Sequence, residues 1–497
     1  MRLKRAVDGL TVNAIAGTHV VTLGFDLADA ARKNCLGFAI QRKDHTENEN
    51  YWMSGMKVFE KTDPSLGLGG QVSSRAHPFR SFQWADYSAK PSHDYTYRVI
   101  ALYGEPESLT EGATVSMPIS TESELGETHA VFFNRGAVAS QEYARRFQNQ
   151  APDKVGEAAY RWLSRGLLEA FVAFVGRAKG KSFSLHGAIY EFQCAAALEA
   201  FKAAAKTGAK VKVIYDAIPG KTGPKAKNKA AIDGLSMNTL CKPRTAGKIM
   251  HNKFVVLKKN DKPISVWLGS TNLTENGIFG HLNCGHIIED PKVAAAYDEH
   301  WSEIAGNPAA KDEKAWMADE NPAPPDPWSD DLVHVFSPRT GLDVLEWYAK
   351  IADSARAGLF MTFAFGMHKD FRRVYEQNDG VLRMALMEKE GNGAALAQGK
   401  LDIARIRRLP NVVVAVANSI PLNSFDRWLQ ERNKLTKEAN VKFVHTKFML
   451  VDPLGDAPVV VTGSANFSAA STNANEENMM VIRNSTRIAD IYLGEFM

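Results

Sequence analysis

The sequence predicts an α/β protein in which two similar α/β halves follow an N-terminal all-β sandwich. Three observations carry this: short β-branched and aromatic runs over the first 125 or so positions, alternating helix and strand patterns from about Glu142 onward, and a set of residues that recurs at a constant offset of 194. The 497 residues are 45% hydrophobic and 23% charged, the balance of a folded protein rather than a disordered or fibrous one. At roughly 150 residues per domain the length suits about three domains. Sixty Lys and Arg against 56 Asp and Glu leave +4, too near neutral for a polycation that coats nucleic acid.

In the first part, Val20–Leu23, Leu36–Gln41, Gln83–Tyr87 and Tyr95–Ala101 read as strands, set apart by Gly, Asn, Asp and Pro. Tyr95, Tyr97 and Val99 alternate onto one face. Cys35, Cys194, Cys241 and Cys284 lie too far apart for a zinc ribbon or a redox motif, and a disulfide framework is not expected. The basic start (Arg2, Lys4, Arg5) is not followed by an apolar core of signal type. The nearest approach to a membrane span, Leu167–Val175, falls short of the ~18 residues needed and contains Glu169. No transmembrane segment and a cytoplasmic location are expected.

Beyond the sandwich, Glu157–Gly176 reads as a helix, Ser182–Leu185 as a strand, Phe192–Thr207 as an Ala-rich helix closed by Gly208, and Val211–Tyr215 as a strand. This βαβ order implies at least part of a parallel sheet. Asn321–Pro327, with four prolines, reads as a linker. The order then recurs: helix over Val344–Ala355, strand over Leu359–Phe365, short helix over Asp370–Gln377, strand over Val381–Met387.

The offset of 194 superposes His251 on His445, Lys253 on Lys447, Gly269 on Gly463, Ser270 on Ser464 and Asn272 on Asn466. On a strand, residues i and i+2 share a face, so each His and its Lys would project together, and Gly-Ser-x-Asn would end a second strand beside the same pocket. Each copy thus offers an imidazole, an ammonium and an amide. Two copies facing each other would surround a tetrahedral phosphate with donors. Two imidazoles on opposite sides of phosphorus permit double displacement, one attacking to give a phosphohistidine, the other protonating the leaving oxygen and then activating water. No metal-binding cluster accompanies the motifs, and neither a metal nor another cofactor is expected.

These paired segments resemble the HKD motifs of the phospholipase D superfamily, His-x-Lys-x4-Asp followed by Gly-Ser-x-Asn, over about residues 130–497. The resemblance implies two phospholipase D-like α/β repeats packed as a pseudo-twofold pair. It implies catalytic roles for His251 and His445, with His251 as nucleophile, and phosphate binding by Lys253, Lys447, Asn272 and Asn466. The first 125 residues resemble a fibronectin type III domain through Gly37–Arg42 and Tyr95–Ala101. The expected layout is a sandwich over 1–125, repeats over 126–310 and 332–497, and a Pro-rich linker over 311–331. Asp452 completes the second motif, whereas Lys258 stands at that place in the first, with Asp261 three residues on. Asp452, Ser270 and Ser464 are expected to support the site rather than react. Glu477, in Asn475–Asn478, resembles the family's carboxylate that orients a histidine, and the matching Asn283–His286 has no Glu. The site is therefore expected to be asymmetric. His186, His281 and His286 are expected to be structural or to line the rim.

Between Lys221 and Lys262, eleven Lys or Arg stand against Asp233 and Asp261, a net +9 that leaves −5 on the other 455 residues. This segment, with Lys221, Lys225, Lys227 and Lys229, is expected to form a mobile basic loop that binds substrate. A nuclease-type phosphodiesterase acting on DNA or RNA is the first expectation. A phospholipase D that hydrolyses or transfers phosphatidyl groups is the second, and an inactive nucleic-acid or membrane docking protein the third. A single chain holds both motifs, so a monomer suffices for catalysis, and the sandwich is open to a protein partner.

Overall fold

The computed structural model describes residues 1–66, 70–136, 141–148, 150–220, 223–391, 393, 395–417 and 442–497. They divide into two compact units, Met1–Glu124 with Thr486–Met497, and Leu125–Ser485.

The first unit holds two four-stranded antiparallel sheets. One runs in the order Arg2–Val7, Leu10–Ala16, Val21–Leu27, Gln83–Asp86; the other in the order Ser108–Ser120, Asp94–Glu105, Gly37–Asp44, Glu49–Trp52. Alternation fills one shared core: Leu10, Val12 and Leu23 of one sheet meet Ile40, Tyr97 and Val99 of the other. The two runs singled out in the sequence pair directly, Ile40 opposite Val99. The last helix, Thr486–Phe496, groups with this unit and not with the second repeat to which the sequence assigns it. Its Asp490 accepts a 2.7 Å hydrogen bond from Arg2 Nε.

The second unit contains two seven-stranded mixed sheets of the same design. The first runs His129–Phe133, Cys284–Ile288, Lys262–Gly269, Lys253–Lys259, Phe183–Ile189, Lys210–Asp216, Cys241–Arg244. The second runs Leu332–Ser337, Glu477–Arg483, Val459–Gly463, Phe448–Val451, Gly358–Phe363, Leu382–Met387, Val412–Val416. In each, the last three strands are parallel and the others antiparallel. One face of each sheet is buried under amphipathic helices, around Leu198, Phe201 and Val213 in the first and Leu345, Tyr348 and Val461 in the second.

Several elements depart from their sequence reading for local reasons. The helix expected over 157–176 is two, Glu157–Ser164 and Leu167–Val175, because Arg165 and Gly166 both take left-handed φ, 45° and 90°. Residues 311–320 of the expected linker belong to the helix Ala310–Glu320, whose Glu313 is fully buried on Arg244; the prolines that break regular structure begin only at Pro322. Much of the basic segment is not the expected loop, since Lys225–Gly234 is a helix crossing from Lys210–Asp216 to Cys241–Arg244 and Lys253–Lys259 is a strand.

Candidate active site

Neither histidine sits in a central strand as the i, i+2 reading requires. The strands begin at Lys253 and Phe448, and His251 and His445 precede them in irregular chain. The reason is an exchange of backbone pairing between repeats. Met250 bridges to Glu476, with His251 N–H donating to Glu476 O at 2.9 Å, and Val444 pairs with Leu282. Met250 and Val444, like Leu282 and Glu476, are 194 residues apart, so one pairing is made twice about a pseudo-twofold axis. Chain given to the other repeat is withdrawn from its own sheet.

The exchange carries side chains with it. His251 Nδ1 donates to Glu477 Oε2 at 2.7 Å, and Ser464 Oγ donates to the same oxygen at 2.7 Å. Symmetrically, His445 Nδ1 donates to Asn283 Oδ1 at 2.8 Å, and Ser270 Oγ donates to that oxygen at 2.9 Å. The amide orientation is fixed, because Asn283 Nδ2 donates to Gly277 O at 2.7 Å. Each serine also accepts from the next backbone amide, Asn478 N on Ser464 and Cys284 N on Ser270. The carboxylate of the second repeat thus holds the imidazole of the first, and an amide of the first holds the imidazole of the second. Asn283 is the residue that sequence reading passed over. The signal was present, since Asn283 lies 194 residues before Glu477, but a search for a second Glu hides it.

The motif glycines have a steric cause. Gly269 and Gly463 have φ of 144° and 157°, and a Cβ there would lie 2.3 Å from Cys284 O and 2.2 Å from Asn478 O. Only glycine lets the neighbouring strand approach closely enough to bring Asn283 and Glu477 to the histidines.

Lys253 and Lys447 each donate to the carbonyl of the histidine two residues before, Lys253 Nζ to His251 O at 2.6 Å. Lys253 also lies over the Tyr190 ring, 5.0 Å from its centre, and that ring packs 4.8 Å from the His251 ring. Asn272 Nδ2 donates to Glu191, while the buried Oδ1 atoms of Asn272 and Asn466 have no partner among the described residues. No local signal in the sequence marked Tyr190 or Glu191. They come to the site because the strand Phe183–Ile189 ends beside Lys253.

Electrostatics make this centre asymmetric. Burial pushes His251 down to about 4; Glu477 opposes this, and Lys253 and Lys447 reinforce it. The reach of Lys447 to His251 brings the second motif's cation to the first motif's imidazole. Burial would raise Glu477, but His251 holds it below the ordinary carboxylate range. Burial lowers the Lys253 ammonium to about 8 against the pull of Glu477, Glu191 and Asp216. At neutral pH the centre therefore holds a neutral His251 with its proton on Nδ1, an ionised Glu477 and a Lys253 near the edge of its charged range.

The departure at Lys258 is compensated. Asp452 accepts from the backbone amides of Arg356, Ala357 and Gly358, at 2.7 Å for Ala357, and so braces the turn into Gly358–Phe363. Lys258 instead donates to Asp298 of the helix Pro291–Ala305, which also binds His186, whose ring stacks 3.8 Å from Trp301. The charge is reversed and its partner supplied from the helix. Asp261 pairs only at the surface, with Lys210 at 3.6 Å. Of the other histidines, His281 lies 5.4 Å from the His445 ring and His286 pairs with His129 at 2.9 Å.

Of the expected substrate-binding lysines, Lys225 and Lys227 are exposed on the helix Lys225–Gly234, and Lys229 is paired with Asp233 at 2.6 Å. Lys221 lies outside the described residues. The buried face of this helix presents Asn228, whose Nδ2 donates to Tyr190 O at 2.8 Å and to Asp216 O at 3.0 Å, tying the basic helix to the wall of the site.

Among known families, the one described as "Cardiolipin synthase, PLD-like domain" matches residues 175–305 and 410–497. Solved structures similar in fold include polyphosphate kinase from Porphyromonas gingivalis, at 12% identity and TM-score 0.41 over 63% of this chain and 43% of that one. The chain therefore spans less than half of that kinase. Phosphatidylserine synthase from Haemophilus influenzae is 12% identical over 67% of this chain and 84% of its own, with TM-score 0.45. The phospholipase D family member Nuc from Salmonella typhimurium is 22% identical over 33% of this chain and 90% of its own, with TM-score 0.24. No curated protein matches the chain by sequence.

Proposed function

We propose, from the premise that the two-repeat part of this chain belongs to the phospholipase D superfamily of phosphodiesterases, that the centre around His251 and His445 cleaves a phosphodiester through a phosphohistidine, with nucleic acid as the favoured substrate. The observation that carries the mechanism is the 2.7 Å bond from His251 Nδ1 to Glu477. It commits Nδ1–H, so Nε2 keeps the lone pair that attacks phosphorus. As the N–P bond forms and the P–O bond breaks, the leaving oxygen takes a proton from His445. Water then attacks phosphorus, gives its proton to His445 and restores neutral His251 as the N–P bond breaks. Lys253, Lys447, Asn272 and Asn466 balance the charge on the phosphoryl oxygens.

The neutral Asn283 on His445, in place of a second carboxylate, suits this division of roles. A carboxylate favours the cationic imidazole that forms when His251 attacks, whereas an amide leaves His445 a better proton donor. A pH dependence follows. His251 stays neutral down to about 4, so kcat/KM keeps its nucleophile across the neutral range. Lys253 loses its charge as pH rises through about 8, so kcat/KM is expected to fall above that pH. Bound phosphate raises the lysine's pKa, so the limb in kcat lies at higher pH. A kcat/KM profile that stays flat two units above 8 would count against phosphate binding by Lys253.

Nucleic acid is favoured by the +9 segment and its helix at the wall of the site. Reversing Lys225 and Lys227 to Glu is expected to weaken single-strand binding and to reduce the slope of log K against log salt by about 0.7 for each phosphate no longer neutralised; an unchanged slope would remove the helix from the binding surface. A phosphatidyl substrate is the second reading, favoured by the cardiolipin synthase description of the matching family. Purified protein incubated with single- and double-stranded DNA, RNA and phosphatidylcholine vesicles, each with and without EDTA, separates the readings. Cleavage of a nucleic acid that survives chelation is expected. Lipid turnover alone would overturn the substrate, and loss of cleavage in EDTA would overturn the mechanism.

A further inference from the structure

Both candidate catalytic histidines lie in irregular chain directly after a residue paired with the other repeat, and within each repeat a carboxylate adds a second hold on that same residue. Within the first repeat, Asp216, the last residue of Lys210–Asp216, accepts a 2.8 Å hydrogen bond on Oδ2 from the amide of Met250, directly before His251. Within the second, Glu388, directly after Leu382–Met387, accepts a 3.1 Å hydrogen bond on Oε2 from the amide of Val444, directly before His445.

The two carboxylates hold equivalent places. Leu185 pairs with Leu257 and Val211, and Leu359 pairs with Val451 and Arg383. Leu257 and Val451 match by the offset of 194, so Val211 matches Arg383, and five residues further Asp216 matches Glu388. Both are buried, with 2% and 6% exposure. A buried carboxylate is costly unless it makes bonds of this kind, and a matched cost in two repeats calls for a common purpose. The side chains differ in length while the bonded amide is the same. What the two repeats share is therefore the grip on the residue before the histidine.

We propose that Asp216 and Glu388 are paired positioning residues, each pinning the backbone that carries one catalytic histidine and so setting its imidazole against the reacting phosphorus. The assignment rests on the two-histidine reading above and extends it to two residues that do not touch substrate. Asp216 serves His251 and hence formation of the phosphoenzyme. Glu388 serves His445 and hence its breakdown. A displacement of about 1 Å at a reacting group costs on the order of a hundredfold in rate.

The test uses the full chain with bis(4-nitrophenyl) phosphate, whose leaving group needs no acid, and follows the imidazole N–H signals by NMR in histidine-labelled protein. Asp216→Ala is expected to slow the nitrophenolate burst by about ten- to a hundredfold with KM within about threefold, and to shift the His251 signal. Asp216→Asn, which keeps an acceptor for Met250 N–H, is expected to restore most of the burst. Glu388→Ala is expected to keep the burst, slow the steady state and shift the His445 signal, with Glu388→Gln restoring turnover. Unshifted signals in both alanine variants overturn the assignment whatever the activity. So does an Asn or Gln variant as impaired as its alanine counterpart, because charge would then matter and not the held amide. A wild-type protein that releases no nitrophenolate, while the alanine variants still shift the signals, refutes the catalytic reading and leaves the positioning role standing.

Discussion

Replacing His251 by alanine is expected to reduce phosphodiester turnover by about 10³- to 10⁶-fold and to leave no phosphoenzyme. The imidazole is held by Glu477 at 2.7 Å with its proton on Nδ1, which leaves Nε2 free to attack. His445→Ala should be of similar severity on a substrate with a poor leaving group, because no group remains to protonate the departing oxygen. The two variants differ in what accumulates. With an activated leaving group, His445→Ala should still transfer the phosphoryl group to His251 and then stall, since water has lost its base. Quenching a reaction with a radiolabelled diester and counting protein-bound label distinguishes them. Label on the His251→Ala protein and none on His445→Ala would exchange the assigned roles, and near-normal turnover in either would refute the paired-histidine mechanism.

Replacing Arg244 by methionine is expected to destabilise the two-repeat unit by about 3–5 kcal/mol. Arg244 is fully buried and makes four side-chain hydrogen bonds. Nε donates to Glu476 Oε1 at 2.9 Å, Nη1 to Asn307 Oδ1 and Pro308 O, and Nη2 to Glu313 Oε2 at 3.0 Å, while Nη2 also lies 2.8 Å from Glu476 Oε1 as an ion pair. Without the guanidinium, two buried carboxyl groups face each other in a cavity. Burial, together with the repulsion of Glu476, raises Glu313 so far that it keeps its proton at neutral pH. Glu313→Gln should therefore cost far less, since a protonated carboxyl and an amide have nearly the same shape and charge. Linkage gives a further check. The native state holds a proton that unfolded Glu313 releases above about pH 4.5, so this residue's contribution to stability falls as pH rises through and beyond that value. Urea unfolding of the three proteins at pH 5 and pH 8 measures all of this. Equal losses for Arg244→Met and Glu313→Gln would show that the cluster is not a carboxyl pair sharing one proton. Because Glu476 precedes Glu477 and pairs with Met250, the same cluster anchors the segment that holds both the backbone and the imidazole of the first histidine.

The make-up of the candidate site was legible in the sequence because residue type at fixed spacing reports it. His251, Lys253, Ser270 and Asn272 reappear as His445, Lys447, Ser464 and Asn466. The helix over 344–355 and the strands over 359–365 and 381–387, read from periodicity, overlap Asp343–Asp353, Gly358–Phe363 and Leu382–Met387, whereas the helix Ala310–Glu320 falls where the sequence reads as linker. The strand period misled at the histidines themselves, since they leave the sheet to pair with the other repeat, and no local pattern announces a partner 226 residues away. Asp216 and Glu388 stayed hidden for a different reason. They are 172 residues apart, not 194, because the connections between strands differ in length, so a constant-offset comparison cannot align them. The charge run at 221–262 was visible, but its division into a helix, a buried Arg244 and a paired Lys258 was not, because burial and pairing are properties of the packed chain.

The sequence by itself determined that this protein carries two imidazoles, two ammonium groups and two amides in duplicate frames, a set fitted to a phosphodiester. Only the tertiary structure decided how they differ. The pseudo-twofold packing sends Glu477 to His251 and Asn283 to His445, and burial sets which imidazole is neutral. Spacing along the chain encodes which groups are present. Their proton states depend on which neighbours the fold brings within hydrogen-bond reach and on how much water it leaves there.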